Sequence, residues 1–248
     1  MSLQFGSATL VTAQQLSGNM SVTPSFPCTI SIWFYSNRTA GREPLISFQC
    51  VDNDAEDFFA LELNLFSNAT VTSRRVETGT YDTINGVKRA QAGVGVGWAN
   101  NTWVHVAGVF TEASRTAYMN GGNTATETTA LVNPSTPVTS STIVNSTITS
   151  LVTNGHDAAG QIVRLAEAGI WNGALTSDEI VSLSKGVKPN NVRPESLIFY
   201  SPLIRATGTA QQELTGTSSS ISGTGTLVAT NFATDYTPTT ADHFRRYG

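Results

Sequence analysis

Charge is what this chain has least of. Asp, Glu, Lys and Arg make up 13% of its 248 residues, about half the usual quarter for soluble domains. The net charge is −4, and no run of cations is longer than two residues, as at Arg74-Arg75 and Arg245-Arg246, so there is no electrostatic footprint for wrapping nucleic acid. Histidine is scarce, and His105, His156 and His243 stand too far apart for zinc-ligand spacing. Neither a Gly-x-Ser-x-Gly elbow nor a phosphate-loop motif is present. Gly93-Val-Gly-Val-Gly97 reads as glycine in a strand or bulge, since no helix comes after it. No apolar run approaches the ~18 residues of a membrane helix. Met1 to Gly6 show neither a charged n-region nor an apolar h-region, so neither membrane insertion nor conventional secretion is expected. The two cysteines, Cys28 and Cys50, sit in apolar strand-like runs and read as buried free thiols.

Ser and Thr take the place of the missing charge, and β-branched Thr favours strands. The chain is accordingly expected to be all-β. Cys28 to Tyr35 alternates cleanly, with Cys28, Ile30, Ile32 and Phe34 on one face and Thr29, Ser31, Trp33 and Tyr35 on the other. Pro44 to Val51 and Phe58 to Phe66 read as a hairpin across an acidic loop, and Trp103 to Phe110, Arg115 to Met119, Gln161 to Trp171 and Leu197 to Leu203 as further strands. Asn120-Gly121-Gly122 supplies positive φ for a tight turn. Thr124 to Thr153 reads as loops and short strands. One helix is expected near 176–185, with Thr176 as N-cap, Glu179 completing a capping box, Ile180 and Leu183 apolar, and Gly186 at the C-terminal end. Residues 204–248 are rich in Gly, Ser and Thr and read as an extended arm.

Several groups are candidates for chemistry. Asp52, Asp54 and Glu56 alternate as the two carboxylates of a glycosidase strand would, but the small or polar residues between them make the run a solvated loop. The same loop offers Asp52, Asn53, Asp54 and Asp57 as hard oxygens for calcium; no other cofactor is expected. Tyr81, in a Gly/Thr/Asp loop, and Trp98, just before Ala-Asn-Asn, are the loop aromatics that could stack on a sugar. Trp33, Trp103 and Trp171 read as core, and His105 as structural. Phe244, Arg245, Arg246 and Tyr247 combine residue types enriched at protein interfaces.

Three pieces in order resemble the laminin G-like (pentraxin-like) branch of the concanavalin A-like lectin/glucanase superfamily. They are Thr29-Ile-Ser-Ile-Trp-Phe; Asn101-Thr-Trp-Val-His-Val-Ala-Gly-Val-Phe with Ala117-Tyr-Met-Asn-Gly121; and Ile162 to Ile180 with its Ile-Trp-Asn and Leu-Thr-Ser-Asp-Glu-Ile. The resemblance implies an antiparallel two-sheet jelly-roll sandwich over 1–203, and the aromatic and arginine residues near the end of the 204–248 arm suit it to docking on the sandwich or on a neighbouring subunit. Tyr200-Ser-Pro-Leu203 and Asp242-His-Phe-Arg-Arg-Tyr247 are similar to the ends of such domains in bacteriophage virion proteins. Together these resemblances imply a non-enzymatic, lectin-like protein on a virion surface, as capsid decoration or tail-associated module. Its partners would be its own subunits or other virion proteins, and host-surface glycan. A free-standing bacterial lectin and a glycoside hydrolase are the alternatives.

Overall fold

The computed structural model describes residues 3–5, 15–17, 26–37, 41–49, 58–65, 74–82, 86–92, 97–128, 145–150, 163–203, 214–215 and 222–224, with side chains described for 26–37, 45, 97–128, 164–203, 214 and 215. In chain order the elements are β1 (Leu3–Phe5), β2 (Gln15–Ser17), β3 (Cys28–Ser36), β4 (Gly41–Gln49), β5 (Phe58–Leu65), β6 (Arg74–Asp82), β7 (Gly86–Ala92), β8 (Trp103–Phe110), β9 (Arg115–Met119), β10 (Asn123–Glu127), β11 (Asn145–Ser150), β12 (Val163–Trp171), α1 (Ser177–Ser184), β13 (Leu197–Ser201) and β14 (Ser222–Thr224). One sheet runs β1-β12-β3-β8-β9-β10, with β13 also on β12. The other runs β14-β2-β11-β4-β5-β6-β7. β1 and β13 share one edge of β12, end to end. The sheets face each other as a sandwich, β3 lying against β4, β8 against β5 and β6, and β9 and β10 against β7.

Alternation in β3 fixes which way the first sheet faces. Cys28, Ile30, Ile32 and Phe34 are fully buried, and their partners Phe110, Val106 and Val104 on β8 share their face by register. Leu165 and Ile170 of β12 continue that inner layer. Cys28 is a free thiol there, and burial pushes its titration far above the ordinary range; Cys50 lies outside the described residues.

Outside the same sheet sits α1. Its capping box is formed as expected, with Glu179 N–H donating to the Thr176 hydroxyl and Thr176 N–H donating to the Glu179 carboxylate. Ile180 and Leu183 pack with Trp171, Tyr118, Val109 and Ala107. Arg193, in a left-handed conformation, clamps the helix start with two hydrogen bonds to Glu179, of 2.9 and 2.6 Å, and one of 2.9 Å to the Ala174 carbonyl. The β9–β10 turn slides beneath the helix at Gly121, where φ is +75° and a Cβ would come within 2.4 Å of Ser184 Oγ.

Some strands differ from the sequence expectation. β4 begins at Gly41, and its pairing with β5 slips between Pro44 and Ile46, where proline has no N–H for the ladder. Tyr81 lies within β6, opposite Val87, and not in a loop. β13 pairs with β12. Parts of the 204–248 stretch return to their own sandwich: Leu214 N–H donates to the Tyr200 carbonyl, the Thr215 hydroxyl donates to the Ile198 carbonyl, and β14 pairs with β2.

Candidate functional site

The outward face of the first sheet divides into two halves. Thr29, Ser31, Trp33 and Tyr35 all point outward along β3, yet Thr29 and Ser31 are buried while Trp33 and Tyr35 are partly exposed. The cause is α1 with its leading loop, which covers one end and stops short of the other. Thr29 ties that loop down, donating its hydroxyl to the Gly173 carbonyl at 2.7 Å and accepting the Leu175 N–H at 3.0 Å. Trp171, at 0% exposure, fills the covered half and donates its indole N–H to the Val192 carbonyl at 2.8 Å.

The open half is a row set by register. Arg164 of β12 pairs with Tyr35 of β3, and Tyr35 pairs with Trp103 of β8. Three adjoining strands therefore present a cation, a phenol ring and an indole side by side over about 10 Å. The Arg164 guanidinium carbon stands 4.7 Å from the Tyr35 ring centroid, a cation–π contact. Tyr35 and Trp103 meet at 5.8 Å between centroids, tilted by 53°. In the next row Trp33 pairs with Ala166 on one side and His105 on the other. Trp33 and Trp103, expected in the core, thus sit on an outer surface and keep part of their area in solvent.

Beside Trp33 the polar groups are fixed. His105 is fully buried, meets the Trp33 ring edge-on at 5.3 Å and shares a 2.8 Å hydrogen bond with the Ser31 hydroxyl. Its backbone N–H donates to Asn120 Oδ1 and its carbonyl accepts the Asn120 N–H. Burial holds the imidazole down to about 3, so it is neutral at physiological pH. Glu167 occupies a bulge in β12 with φ at +54°, which turns its carboxylate to accept the Tyr200 hydroxyl at 2.6 Å. Burial raises the Glu167 titration above its ordinary value, partly offset by that hydrogen bond and by Lys188.

The residues singled out in the sequence fare differently. Trp98 is 3% exposed and packs edge-on against Phe34 at 5.1 Å, so it is a core residue with no open face for a sugar. Tyr81 is in a strand whose side chains are not described. Asp52, Asn53, Asp54 and Asp57, and Phe244, Arg245, Arg246 and Tyr247, lie outside the described residues. Among the described residues no three His, Cys, Asp or Glu side chains come together as a metal site. Strand alternation did put Trp33 and Tyr35 on the face of Thr29 and Ser31; the missing signal was where the helix ends its cover.

A family model described as the concanavalin A-like lectin/glucanases superfamily matches residues 6–181. Among curated proteins there is no match. Among solved structures, a presumed carbohydrate-binding protein from Bacteroides ovatus is similar, with a TM-score of 0.56 and 14% identity over 90% of this chain and 60% of its own. The enzymatically active domain of tailspike protein 2 of bacteriophage CBA120 gives a TM-score of 0.53 and 11% identity over 82% of this chain and 32% of its own. At such identities the likeness is one of fold, and this chain spans less than two thirds of either protein.

Proposed function

Because the chain belongs to the concanavalin A-like lectin/glucanases superfamily, in its laminin G-like branch, we propose that it works by binding glycan and not by catalysis, as a lectin-like protein of a phage virion surface. The observation that carries this reading is the open aromatic row of Tyr35 and Trp103, with Trp33 beside it, on a rigid sheet. Rings held by strand pairing offer flat apolar area to a sugar at little cost in side-chain entropy. The fold alone does not separate binders from hydrolases, and the tailspike neighbour is described as enzymatically active. The residues favour binding. A retaining or inverting hydrolase needs two carboxylates about 5 to 9 Å apart, whereas the Glu167 carboxylate beside the open half is engaged by the Tyr200 hydroxyl at 2.6 Å.

Support for the virion setting is the tailspike neighbour together with the resemblance of Tyr200-Ser-Pro-Leu203 and Asp242 to Tyr247 to virion protein ends. The Bacteroides neighbour favours a second reading, a free-standing bacterial carbohydrate-binding protein. A glycan array read with the full chain, beside its mass by light scattering, tests both. Glycan binding by a defined oligomer supports the virion reading, glycan binding by a monomer the second, and absence of binding to any saccharide removes the glycan role from both.

A further inference from the structure

The two tryptophans of the open half stand on a diagonal. Trp33 pairs with His105, and Tyr35 pairs with Trp103, so the indoles lie on neighbouring strands two residues out of step. Such diagonal positions are about 7–8 Å apart. We propose that this diagonal takes two sugar units of one glycan chain, so that the ligand is an oligosaccharide stretch and not a single terminal sugar. The inference rests on the glycan-binding reading above and adds the form of the ligand and the pair of residues that measures it.

Of the three rings in the open half, two remain for stacking. The Arg164 guanidinium lies 4.7 Å from the Tyr35 centroid, so one face of the phenol is already taken. Trp33 and Trp103 are both partly exposed. Each is backed by a ring that limits its rotamers: His105 meets Trp33 edge-on at 5.3 Å, and Tyr35 meets Trp103 at 5.8 Å. His105 is itself pinned through Ser31 and Asn120. Both indoles are therefore held in place before a ligand arrives, which lowers the ordering cost of binding.

The spacing decides how many sugars are needed. It exceeds the width of one pyranose ring, so no single sugar covers both indoles, whereas two units joined in a chain can. A concave pocket buries most of a small ligand; a ring on a sheet face touches one side of a sugar only, and a single unit gains little. Once the first unit is seated, the second is tethered and binds at a raised effective concentration. Asn101 and Thr102, both exposed, precede Trp103 and extend the surface with polar side chains for sugar hydroxyls. That loop is fixed to β3, because Asn101 N–H donates to the Ser36 carbonyl at 3.0 Å. On the other side of Trp33, Ser31 and Thr29 are covered, which bounds the surface and limits the gain from length to a few units.

The test is calorimetric titration of the full chain with cello-, xylo- and malto-oligosaccharides, each as a ladder from monosaccharide to hexasaccharide. In a ladder that binds, affinity should rise about tenfold or more between monosaccharide and trisaccharide, as tethering two weak contacts provides, and level off beyond the tetrasaccharide. Trp33→Ala should bring the longer members down to the monosaccharide value, and Trp33→Tyr, which keeps a ring there, should restore part of the gain. Thermal melts of both variants confirm folding. A monosaccharide that binds as tightly as the hexasaccharide, or a length gain that survives in Trp33→Ala, overturns the two-sugar assignment and leaves glycan binding standing. No binding by any member of any ladder overturns both.

Discussion

One sheet face in this protein does two different things along its length. Near α1 the outward residues of β3, β8 and β12 are as buried as the inner ones, with Thr29, Ala107 and Trp171 all at 0% exposure. Past the end of the helix the same strands, with the same alternation, carry Trp33, Tyr35 and Trp103 into solvent. The backbone is continuous, so the difference comes from what lies on top. A covered indole contributes stability; an uncovered one on a paired strand costs little to hold in place and is available to a ligand.

Breaking the covered half should therefore hurt folding most. Trp171→Ala removes a fully buried indole and its hydrogen bond to the Val192 carbonyl. It should cost about 3–5 kcal/mol, measured by urea denaturation. Next comes Gly121→Val. Positive φ and the approach of Ser184 Oγ both oppose a side chain there, and the loss should be about 2–3 kcal/mol by the same assay.

The boundary between the halves has a pH signature. His105 is held down to about 3 when folded, against an ordinary value of 6.5. The unfolded chain takes up a proton below about 6.5 that the folded chain refuses. The stability from this residue is thus complete above 6.5 and is lost as pH falls toward 3. Melts across that window should show His105→Gln with a flatter acid limb than the parent; identical limbs would mean the imidazole is solvated.

Thr176→Ala opens the capping box at the helix start and should cost about 1 kcal/mol. Because it loosens the cover without touching the open row, glycan affinity should be unchanged. A change in affinity would show that the two halves are coupled.

Much of this fold is legible in local sequence. The alternation from Cys28 to Tyr35 gives both faces of β3, and Thr176 with Glu179 marks the helix start within a few residues. The open row is harder to see, because Arg164 is far in sequence from Tyr35 and meets it through the pairing of β12 with β3. That register includes a bulge at Glu167, a non-glycine residue in left-handed conformation that no propensity would put there. Trp98 misled for a related reason: its neighbours are those of a loop, yet its ring turns inward to Phe34. Composition describes a loop's solubility, not the direction of one side chain within it. Trp33 and Trp103 read as core because tryptophan is mostly buried, and how far α1 reaches over them is a property of the assembled fold.

The decisive experiment is titration of a glycan selected by array against the parent chain and against Trp103→Ala, each with its melting curve. If the open row is the binding face, the variant should lose binding while melting within a few degrees of the parent, since a partly exposed ring contributes about 1 kcal/mol or less. Undiminished binding by Trp103→Ala would contradict this and move the site elsewhere on the molecule.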